Sequence, residues 1–434
     1  MAWWAVALWL ALPCASAMQP PGADAAAGQP DGAVHITRAE LLSIPGTGYS
    51  APPRRIEEAR LPVDGWLEVS LPHTAERELV PTPSGGVNTI TDWYRIDLAG
   101  LAPSAAQPRL LYLPRWKTLG RIAVYGDGVL LYQSQGSAVH NGYNQPLLVP
   151  LNAAANTPSP RSVLIRIDRL RSSGSGVSTV WVGDQHSLGW RYQVRQLLQV
   201  QLPFMGSAAF LAVGAFAFAV WLGRRRELLY LLFFAISALA YVRTLHYFVS
   251  GDYLPISDEW FEWITVVSLL WLIILIHLFL QRLHQQPSAW LTRLSVVLAL
   301  ACSVATLPHA SEAMPSLYLF TPLLNLAVLP VAVLIFAVNL RKALRAKLPE
   351  GRLVAGWAVA AVAFTSYDGL LQNNLVSPES VYTSPYAIIS LFFIFSYIMF
   401  QRYTGAFAEV ARLNKGLAQR LQARETELEQ SYQR

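Results

Sequence analysis

Between residues 202 and 400, long apolar stretches alternate with short polar breaks. Most stretches are close to the roughly 20 residues that a helix needs to cross a bilayer. They lack the polar face that a helix on the surface of a globular domain would carry. The fourth and seventh are shorter and need flanking residues to span. The pattern predicts a bundle of seven transmembrane helices, over Leu202–Leu222, Leu228–Val249, Phe261–Leu280, Leu291–Leu307, Leu317–Leu340, Leu353–Leu371 and Tyr386–Phe400.

The region from Ala33 to Gly189 has a different pattern, in which short runs of strand character are separated by Pro, Gly, Asn and Ser. Gly126-Asp127-Gly128 lies between two such runs and predicts a hairpin, because these residue types tolerate positive φ. The absence of a convincing amphipathic helix favours an antiparallel β-sandwich of jelly-roll type. The predicted strands are Ala33–Thr37, Trp93–Leu98, Leu110–Leu113, Arg121–Tyr125, Val129–Tyr132, Leu147–Leu151, Val163–Ile167 and Thr179–Val182.

Three further segments flank these regions. Met1–Ala17 has an apolar run followed by Ala15-Ser16-Ala17, which is typical of a secretory signal peptide and its cleavage site. The alternative, an uncleaved anchor, would need a longer apolar run. Residues 18–32 are rich in Ala, Gly and Pro and predict a flexible leader. Residues 190–201 contain neither Gly nor Pro and predict a helical connector that joins the β-domain stiffly to the first span.

The charges between the spans predict how the chain is oriented. Loops 250–260, 308–316 and 372–385 contain no Lys or Arg, whereas the alternate loops are basic. The positive-inside rule therefore places the N-terminal region outside and the C-terminus in the cytoplasm, in a bacterial inner membrane. The basic cytoplasmic loops then explain the formal charge of +6, and we expect no nucleic-acid binding. The basic residues are Arg224, Arg225, Arg226, Arg282, Arg293, Arg341, Lys342, Arg345, Lys347 and Arg352.

The composition agrees with this topology. The chain is 53% hydrophobic and 14% charged, which excludes an ordinary soluble protein. Its two cysteines are Cys14, in the predicted signal peptide, and Cys302, in the fourth span. The exported domain therefore has no disulfide available and depends on its own hydrophobic core.

Residues 401–434 form a short, charged tail without proline. Val410, Leu417 and Arg424 follow one seven-residue interval, and Asn414, Leu421 and Leu428 follow another that is displaced by four. This pattern predicts a coiled-coil stalk and a parallel homodimer, since Asn at an a-like position favours parallel dimers. The alternative is a solvated or membrane-surface helix. The stalk contacts would be made by Asn414, Leu417, Leu421 and Leu428.

Two segments of the β-domain carry the residue types that bind sugars, namely aromatic faces with planar polar groups. One is Arg115, Trp116 and Lys117, and the other is the predicted loop that contains His140, Asn141, Tyr143 and Asn144. The alternative is that the aromatic residues belong to the core and that the loop is an ordinary turn. We expect a small periplasmic ligand, with carbohydrate as the specific hypothesis.

Ionisable residues within spans are costly and mark functional positions. Arg243 and Asp368 lie at similar depths near the outer ends of the second and sixth spans, which suggests that they pair, with His246 one turn above Arg243. The alternative is that Arg243 reaches the headgroups and that Asp368 caps a helix end. His277 is interpreted as interfacial. No residue set has metal-ligand spacing, so we expect neither metal nor cofactor.

The β-domain resembles the galactose-binding-like jelly roll beside the catalytic domains of family-2 glycoside hydrolases. The resemblance rests on Trp93-Tyr94-Arg95-Ile96, on Arg121–Gly128 and on the Val163–Ile167 strand. It implies a sandwich fold and a carbohydrate ligand.

The tail and the order of the domains carry a second resemblance. Leu413–Leu421, followed by Arg424-Glu425-Thr426-Glu427-Leu428-Glu429, is similar to the signalling helix that leaves the last span of bacterial sensors. With the exported β-domain and seven spans, the whole chain resembles the bacterial seven-transmembrane receptors with diverse intracellular signalling modules. The resemblance implies a receptor that relays a periplasmic signal to a cytoplasmic output module.

The nature of that output stays open at this point. We find no phosphate-binding loop, cyclase motif or phosphoacceptor histidine, so no catalytic activity is predicted for the chain as given. A truncated histidine kinase or diguanylate cyclase, a receptor with a separate signalling partner and a degenerate remnant are the alternatives. The helical pattern reaches Arg434 without a stop signal, which favours truncation. A solute transporter is the remaining alternative.

Overall fold

The computed structural model describes residues 32–46, 48, 50–57, 61–76, 89–100, 109–117, 120–134, 144–152, 159–171, 174–249, 256–285, 287–308, 317–345, 349–372 and 374–433. The predicted signal peptide and nearly all of the leader lie outside these residues, as do His140, Asn141 and Tyr143.

The described part of the N-terminal region is built from antiparallel strands. They are β1 Val34–Ile36, β2 Arg38–Gly46, β3 Leu67–Ser70, β4 His73–Ala75, β5 Thr89–Asp97, β6 Leu110–Leu113, β7 Trp116–Lys117, β8 Gly120–Gly126, β9 Val129–Gln133, β10 Leu147–Pro150, β11 Ser162–Leu170, β12 Ser175–Val177 and β13 Val180–Gly183. The eight predicted strands are all present. The sequence pattern missed β2, β3, β4, β7 and β12.

These strands form three sheets. The largest has the order β3-β2-β5-β11-β8-β9, the second β1-β13-β6-β10, and the third β4-β12-β7. The two larger sheets share one hydrophobic core, to which β5 and β11 contribute Tyr94 and Ile165, and β6 and β13 contribute Leu111 and Val182. The antiparallel β-domain is confirmed, whereas the jelly-roll classification stays a prediction.

The predicted hairpin joins β8 to β9. Gly126 pairs with Val129, so Asp127 and Gly128 form a two-residue turn in which both have positive φ, 44° and 79°. Mirror-image turns of this kind match the twist of antiparallel strands. A Cβ on Gly128 would also collide with the carbonyl of Ile56. This position therefore requires glycine both for its positive φ and for lack of space.

The C-terminal region is helical. Its helices are α1 Gln185–Gln196, α2 Leu202–Gly223, α3 Leu228–Thr244, α4 Asp258–His284, α5 Ala289–Ala305, α6 Leu317–Arg345, α7 Pro349–Gln372 and α8 Ser384–Tyr432. A π turn, Leu197–Gln201, connects α1 to α2, and a 3₁₀ turn, Leu245–Tyr247, ends α3. Each of the seven predicted apolar stretches lies on one of these helices.

Several of these helices are suited to cross a membrane. Among the described residues, five are long and apolar enough, and Ala289–Ala305 is a shorter apolar helix. Five helices also share one core, in which Phe210 of α2, Phe233 of α3 and Phe395 of α8 meet. Gly214 allows α2 and α3 to approach closely, because a Cβ there would collide with Ser237. The protein is therefore a multi-pass membrane protein.

The predicted connector is helical, and its stiffness stays a prediction. Helix runs without a break from Gln185 through the π turn to Gly223. Its first residue follows Asp184, whose carboxylate accepts a hydrogen bond from the Ser187 amide at 2.8 Å and caps the helix. Hydrogen bonding by the Ser187 side chain, and then by its amide, lowers the pKa of Asp184. A movement of the β-domain can therefore reach α2 without being absorbed by a flexible linker.

Candidate functional site

The third sheet rests on the segment that joins α7 to α8. A Cβ built on Gly176 of β12 would lie 3.4 Å from Cβ of Pro378. Hydrogen bonds from β7 and from the residues beside it also reach residues 371–383. We call this contact between the β-domain and residues 371–383 the docking contact, and the end of the bundle where it lies the docked end.

Lys117 of β7 covers the C-terminal end of α7. Its ammonium group donates to the carbonyls of Leu371 and Gln372, at 3.3 and 2.5 Å, and to Oδ1 of Asn374 at 2.8 Å. The last carbonyls of a helix lack partners within the helix and carry its negative dipole end. A lysine from the β-domain therefore completes the end of a bundle helix.

Arg115 makes a second contact with the same segment. Its Nη1 donates to the carbonyl of Ser380 at 2.6 Å, and the guanidinium lies 4.2 Å from the centre of the Tyr382 ring. Arg115 is only 1% exposed, so the contact is fully desolvated. Burial raises the pKa of Tyr382, and the Arg115 charge opposes that shift. Tyr382 is therefore a neutral aromatic face for the cation.

Glu379 connects the β-domain and the connector. Its carboxylate accepts from the Thr179 amide at 2.7 Å and from the Thr179 hydroxyl, and its carbonyl accepts from Arg195 of α1. A single residue of the bundle thus bonds both to the residue that precedes β13 and to the helix that follows it.

The π turn provides a further contact. Asn144 Nδ2 donates to the Gln199 carbonyl at 2.5 Å and to the Tyr247 carbonyl at 3.3 Å. On another side, the Tyr386 hydroxyl of α8 donates to the Leu198 carbonyl at 2.7 Å. π turns within α-helices occur frequently at functional sites. This one brings the β-domain, the end of α3 and the start of α8 together.

Asp368 caps the start of α8. Its two carboxylate oxygens accept from the amides of Thr383 and Ser384, at 2.7 and 2.8 Å, and from the Thr383 hydroxyl at 2.9 Å. An anion at a helix N-terminus is favoured both by the free amides and by the helix dipole. Lys117 therefore caps α7, and Asp368 of α7 caps α8.

The structure does not show the suggested pair of Arg243 and Asp368. Among the described residues no ion pair joins them. Asp368 is saturated by the start of α8, and Arg243 donates to the Thr265 carbonyl of α4 at 3.2 Å. The ring of His246 lies against that of Tyr247, tilted by 39° with the centroids 3.9 Å apart. Equal depth on two helices does not fix the direction in which their side chains point.

The first predicted sugar cluster is not an open surface in this structure. Trp116 is 4% exposed and belongs to the β-domain core, and Arg115 and Lys117 are covered by the docking contact. Their ligand-binding role stays a prediction that would require the contact to open. Of the second cluster, the structure describes only Asn144, which is bonded to the bundle.

The predicted stalk is the second half of one long helix. α8 continues from the bundle to Tyr432 without interruption. Asn414, Leu417 and Leu421 are exposed along it, and Leu428 lies on the same helix. The helix is confirmed, and its pairing with a second copy stays a prediction.

A second polar cluster lies at the end of the bundle opposite the docked end. On α4, Nδ1 of His277 lies 2.8 Å from Nδ2 of Asn339, which belongs to α6. Nε2 of the same imidazole lies 2.5 Å from Nε2 of Gln281. Gln281 also donates to the Thr292 hydroxyl of α5 at 2.8 Å. The side chain of His277 is completely buried between three helices, and its interpretation as interfacial, which concerns its depth in the membrane, stays a prediction.

The residues that sequence reasoning missed are those of the bundle side and the connector: Glu379, Ser380, Tyr382, Arg195 and Gln199. One signal was available. Glu379 is the only Asp or Glu in residues 372–385, the loop that lacks basic residues. A single acidic residue in a loop without basic residues could have marked Glu379 as a candidate contact.

Comparison with known proteins places the helical region. Residues 198–402 match the family described as 7TM diverse intracellular signalling. The match covers 205 of the 434 residues, and through it the helical region is similar to that family. The match begins within the π turn, includes α2 to α7, and ends two residues beyond the predicted seventh span. Its ends thus lie at the docked end and where α8 leaves the bundle.

Two other comparisons add less. A search of curated proteins found no match. Among solved structures, the chain is similar to a Faecalibacterium prausnitzii β-glucuronidase, with 13% identity and a TM-score of 0.21, over 33% of this chain and 22% of that one. The chain thus spans about a fifth of that enzyme's length, and the match carries no argument about fold or ligand.

Proposed function

We propose that this protein is a seven-helix signalling receptor. Its β-domain detects a small molecule on the periplasmic side, and α8 passes the state of the bundle to a cytoplasmic output module. The observation that carries the proposal is the succession of two caps, in which Lys117 of the β-domain ends α7 and Asp368 of α7 begins α8. A change in the β-domain that withdraws Lys117 alters the helix that leads to the stalk.

The proposed ligand is a carbohydrate, bound by the loop that contains His140, Asn141 and Tyr143. The next residue, Asn144, is bonded to the Gln199 and Tyr247 carbonyls of the bundle. A ligand that reorders the loop would therefore pull directly on a contact with the connector. Such a ligand must bind one state of the bundle more tightly than the other, since only differential affinity shifts an equilibrium.

The experiment uses full-length protein in nanodiscs and a panel of neutral monosaccharides and disaccharides. Binding is measured by Trp fluorescence, and hydrogen exchange is followed in residues 371–383 and 401–424. We expect a binding sugar to change exchange in both segments. Sugar-dependent flux into proteoliposomes would contradict the receptor function and indicate a transporter. A panel without any binding sugar would remove the carbohydrate hypothesis.

The proposed orientation has its own test. Val63 is 88% exposed in the β-domain and Leu417 is 57% exposed on α8. In intact cells with a permeable outer membrane, a thiol reagent that cannot cross the inner membrane should label Val63→Cys and not Leu417→Cys. Labelling of Leu417→Cys alone would show that the orientation in the membrane is opposite to the proposed one.

A further inference from the structure

We propose that the bundle binds an anionic phospholipid in the leaflet away from the docked end, with one acyl chain held between α4, α5 and α6. A shallow apolar crevice, open on one side, lies between these helices. Its walls are apolar apart from Ser295. They include Leu270, Ile274, Ser295, Ala299, Val331 and Ile335.

The shape of the crevice suits a chain rather than a side chain of the protein. Ser295 and Ala299, one turn apart on α5, are small and buried at its base. Leu270 and Val331 are half-buried at its rim, which leaves the crevice open to the lipid phase. Ser295 does not offer a polar contact, because its hydroxyl donates to the Leu291 carbonyl at 2.6 Å. An apolar chain is therefore the occupant that such walls favour.

The end of the crevice away from the docked end is polar. His277 lies one turn beyond Ile274 on α4, and Asn339 lies one turn beyond Ile335 on α6. Gln281 and Thr292, which join this cluster, are only half-buried and reach its edge. A lipid whose chain fills the crevice would bring its ester oxygens to this level.

The same helices are basic just beyond the polar cluster. Arg293 and Arg282 are exposed there, and Lys342 donates to the Ser288 hydroxyl at 2.5 Å. Ile335 and Lys342 are separated by about 10 Å along α6, within the roughly 15 Å depth of one leaflet. Residues 263–311 and 313–349 contain no Asp or Glu, so these helices supply no countercharge at this end; the acidic residues of α4 lie at its start, before residue 263. Basic sites between helices attract anionic headgroups.

The test uses full-length protein in phosphatidylcholine vesicles that contain a small amount of phosphatidylglycerol with a photoreactive acyl chain. We expect labelled peptides from the crevice segments of α4, α5 and α6. An excess of unlabelled phosphatidylglycerol should suppress this labelling, and phosphatidylcholine should not. This comparison requires no variant. Labelling spread evenly over the lipid-facing side of α5, around Val297 and Val304, would overturn the proposal.

Two pairs of variants sharpen the result. Ala299→Trp fills the crevice and should abolish the labelling, whereas Val297→Trp, at a position 64% exposed on the same helix, should leave it unchanged. Arg293→Gln should lower labelling by the anionic probe about fivefold, as expected for one cation near a headgroup. Equal labelling by the same probe with a phosphatidylcholine headgroup would also contradict the proposal.

Discussion

The two halves of α8 are made of one helix but are held in different ways. In the first half Asp368 caps the start, Tyr386 bonds to the π turn, and Phe395 is fully buried against Phe233 and Phe279. In the second half the described leucines are not buried against other helices. Leu413, Leu417 and Leu421 are 57%, 57% and 65% exposed. The position of the first half is fixed by its contacts within the bundle, whereas the second half can contact another protein surface.

This difference suggests a direction for the signal. Polar caps and aromatic packing make the start of α8 sensitive to the β-domain. Under the proposed function, α8 carries a rotation or shift to its exposed half, because the helix has no break between the two halves. The regular leucine spacing at the far end supplies a surface on which that movement can be read by a second copy.

The largest expected effect comes from removing the cap on α7. Lys117→Met keeps the length of the side chain but removes the charged donor to the Gln372 carbonyl and to Oδ1 of Asn374, while the Leu371 carbonyl keeps the Asn374 amide as a donor. We expect the docking contact to weaken by about 3 kcal/mol, the upper end for hydrogen bonds to a charged group. Hydrogen exchange of residues 371–383 measures this. Arg38→Met is the control, since Arg38 forms an exposed ion pair with Glu68 whose removal should cost under about 1 kcal/mol.

Removing the cap on α8 should have a somewhat smaller effect. Asp368→Ala deprives the Thr383 and Ser384 amides of their acceptor, and we expect a loss of about 2 kcal/mol in stability. Faster amide exchange in the first turn of α8, with the second half unchanged, is the expected result. Asp368→Asn keeps one acceptor oxygen and should lose less. Equal exchange in the wild type and Asp368→Ala would mean that the cap does not hold the helix.

Acid should loosen the β-domain by a smaller amount. Burial lowers the pKa of His35 and of His73 below 6.5. The unfolded chain then binds protons that the folded domain does not, so the free energy of unfolding decreases as the pH falls below 6.5 and levels off below the folded pKa values. A His35→Gln, His73→Gln double variant should flatten this dependence in thermal melts. His186→Gln, an exposed histidine in the first turn of α1, serves as the control.

The smallest effect is expected in the exposed half of α8. Leu417→Ala should change the stability of the bundle by no more than about 0.5 kcal/mol, because the side chain is not packed within one copy. Leu391→Ala, the same substitution at a buried position of α8, should cost about 3 kcal/mol. Chemical unfolding in detergent compares the two. A loss of the same size at both positions would abolish the difference between the halves.

The sequence predicted the elements better than the contacts. Long apolar stretches and alternating runs specify helices and strands locally, and all of those predictions found an element. β4, β7 and β12 have two or three residues each, too few for a periodic pattern. Their pairing joins residues that are distant in the sequence, which a local pattern does not reveal.

At the candidate site, too, the sequence predicted the unusual residues but not the partners that they contact. Arg115, Trp116 and Lys117 were recognised as unusual, but a cation beside an aromatic residue serves a protein loop as well as a sugar. Arg243 and Asp368 were predicted to lie at similar depths, yet depth along a helix says nothing about rotation around it. Only the fold decides which partner each side chain meets.

The central claim is that the docking contact controls the second half of α8. It can be tested without a ligand by fixing the contact with Gly176→Cys and Pro378→Cys, whose Cβ atoms would lie 3.4 Å apart, close to the separation in a disulfide. A photoreactive amino acid at Leu417 then reports cross-linking between copies, in a Cys302→Ala background. We expect oxidation to change the cross-linking yield, and reduction to restore it, with each single-cysteine variant unaffected. The same yield in the oxidised and reduced protein would contradict the account.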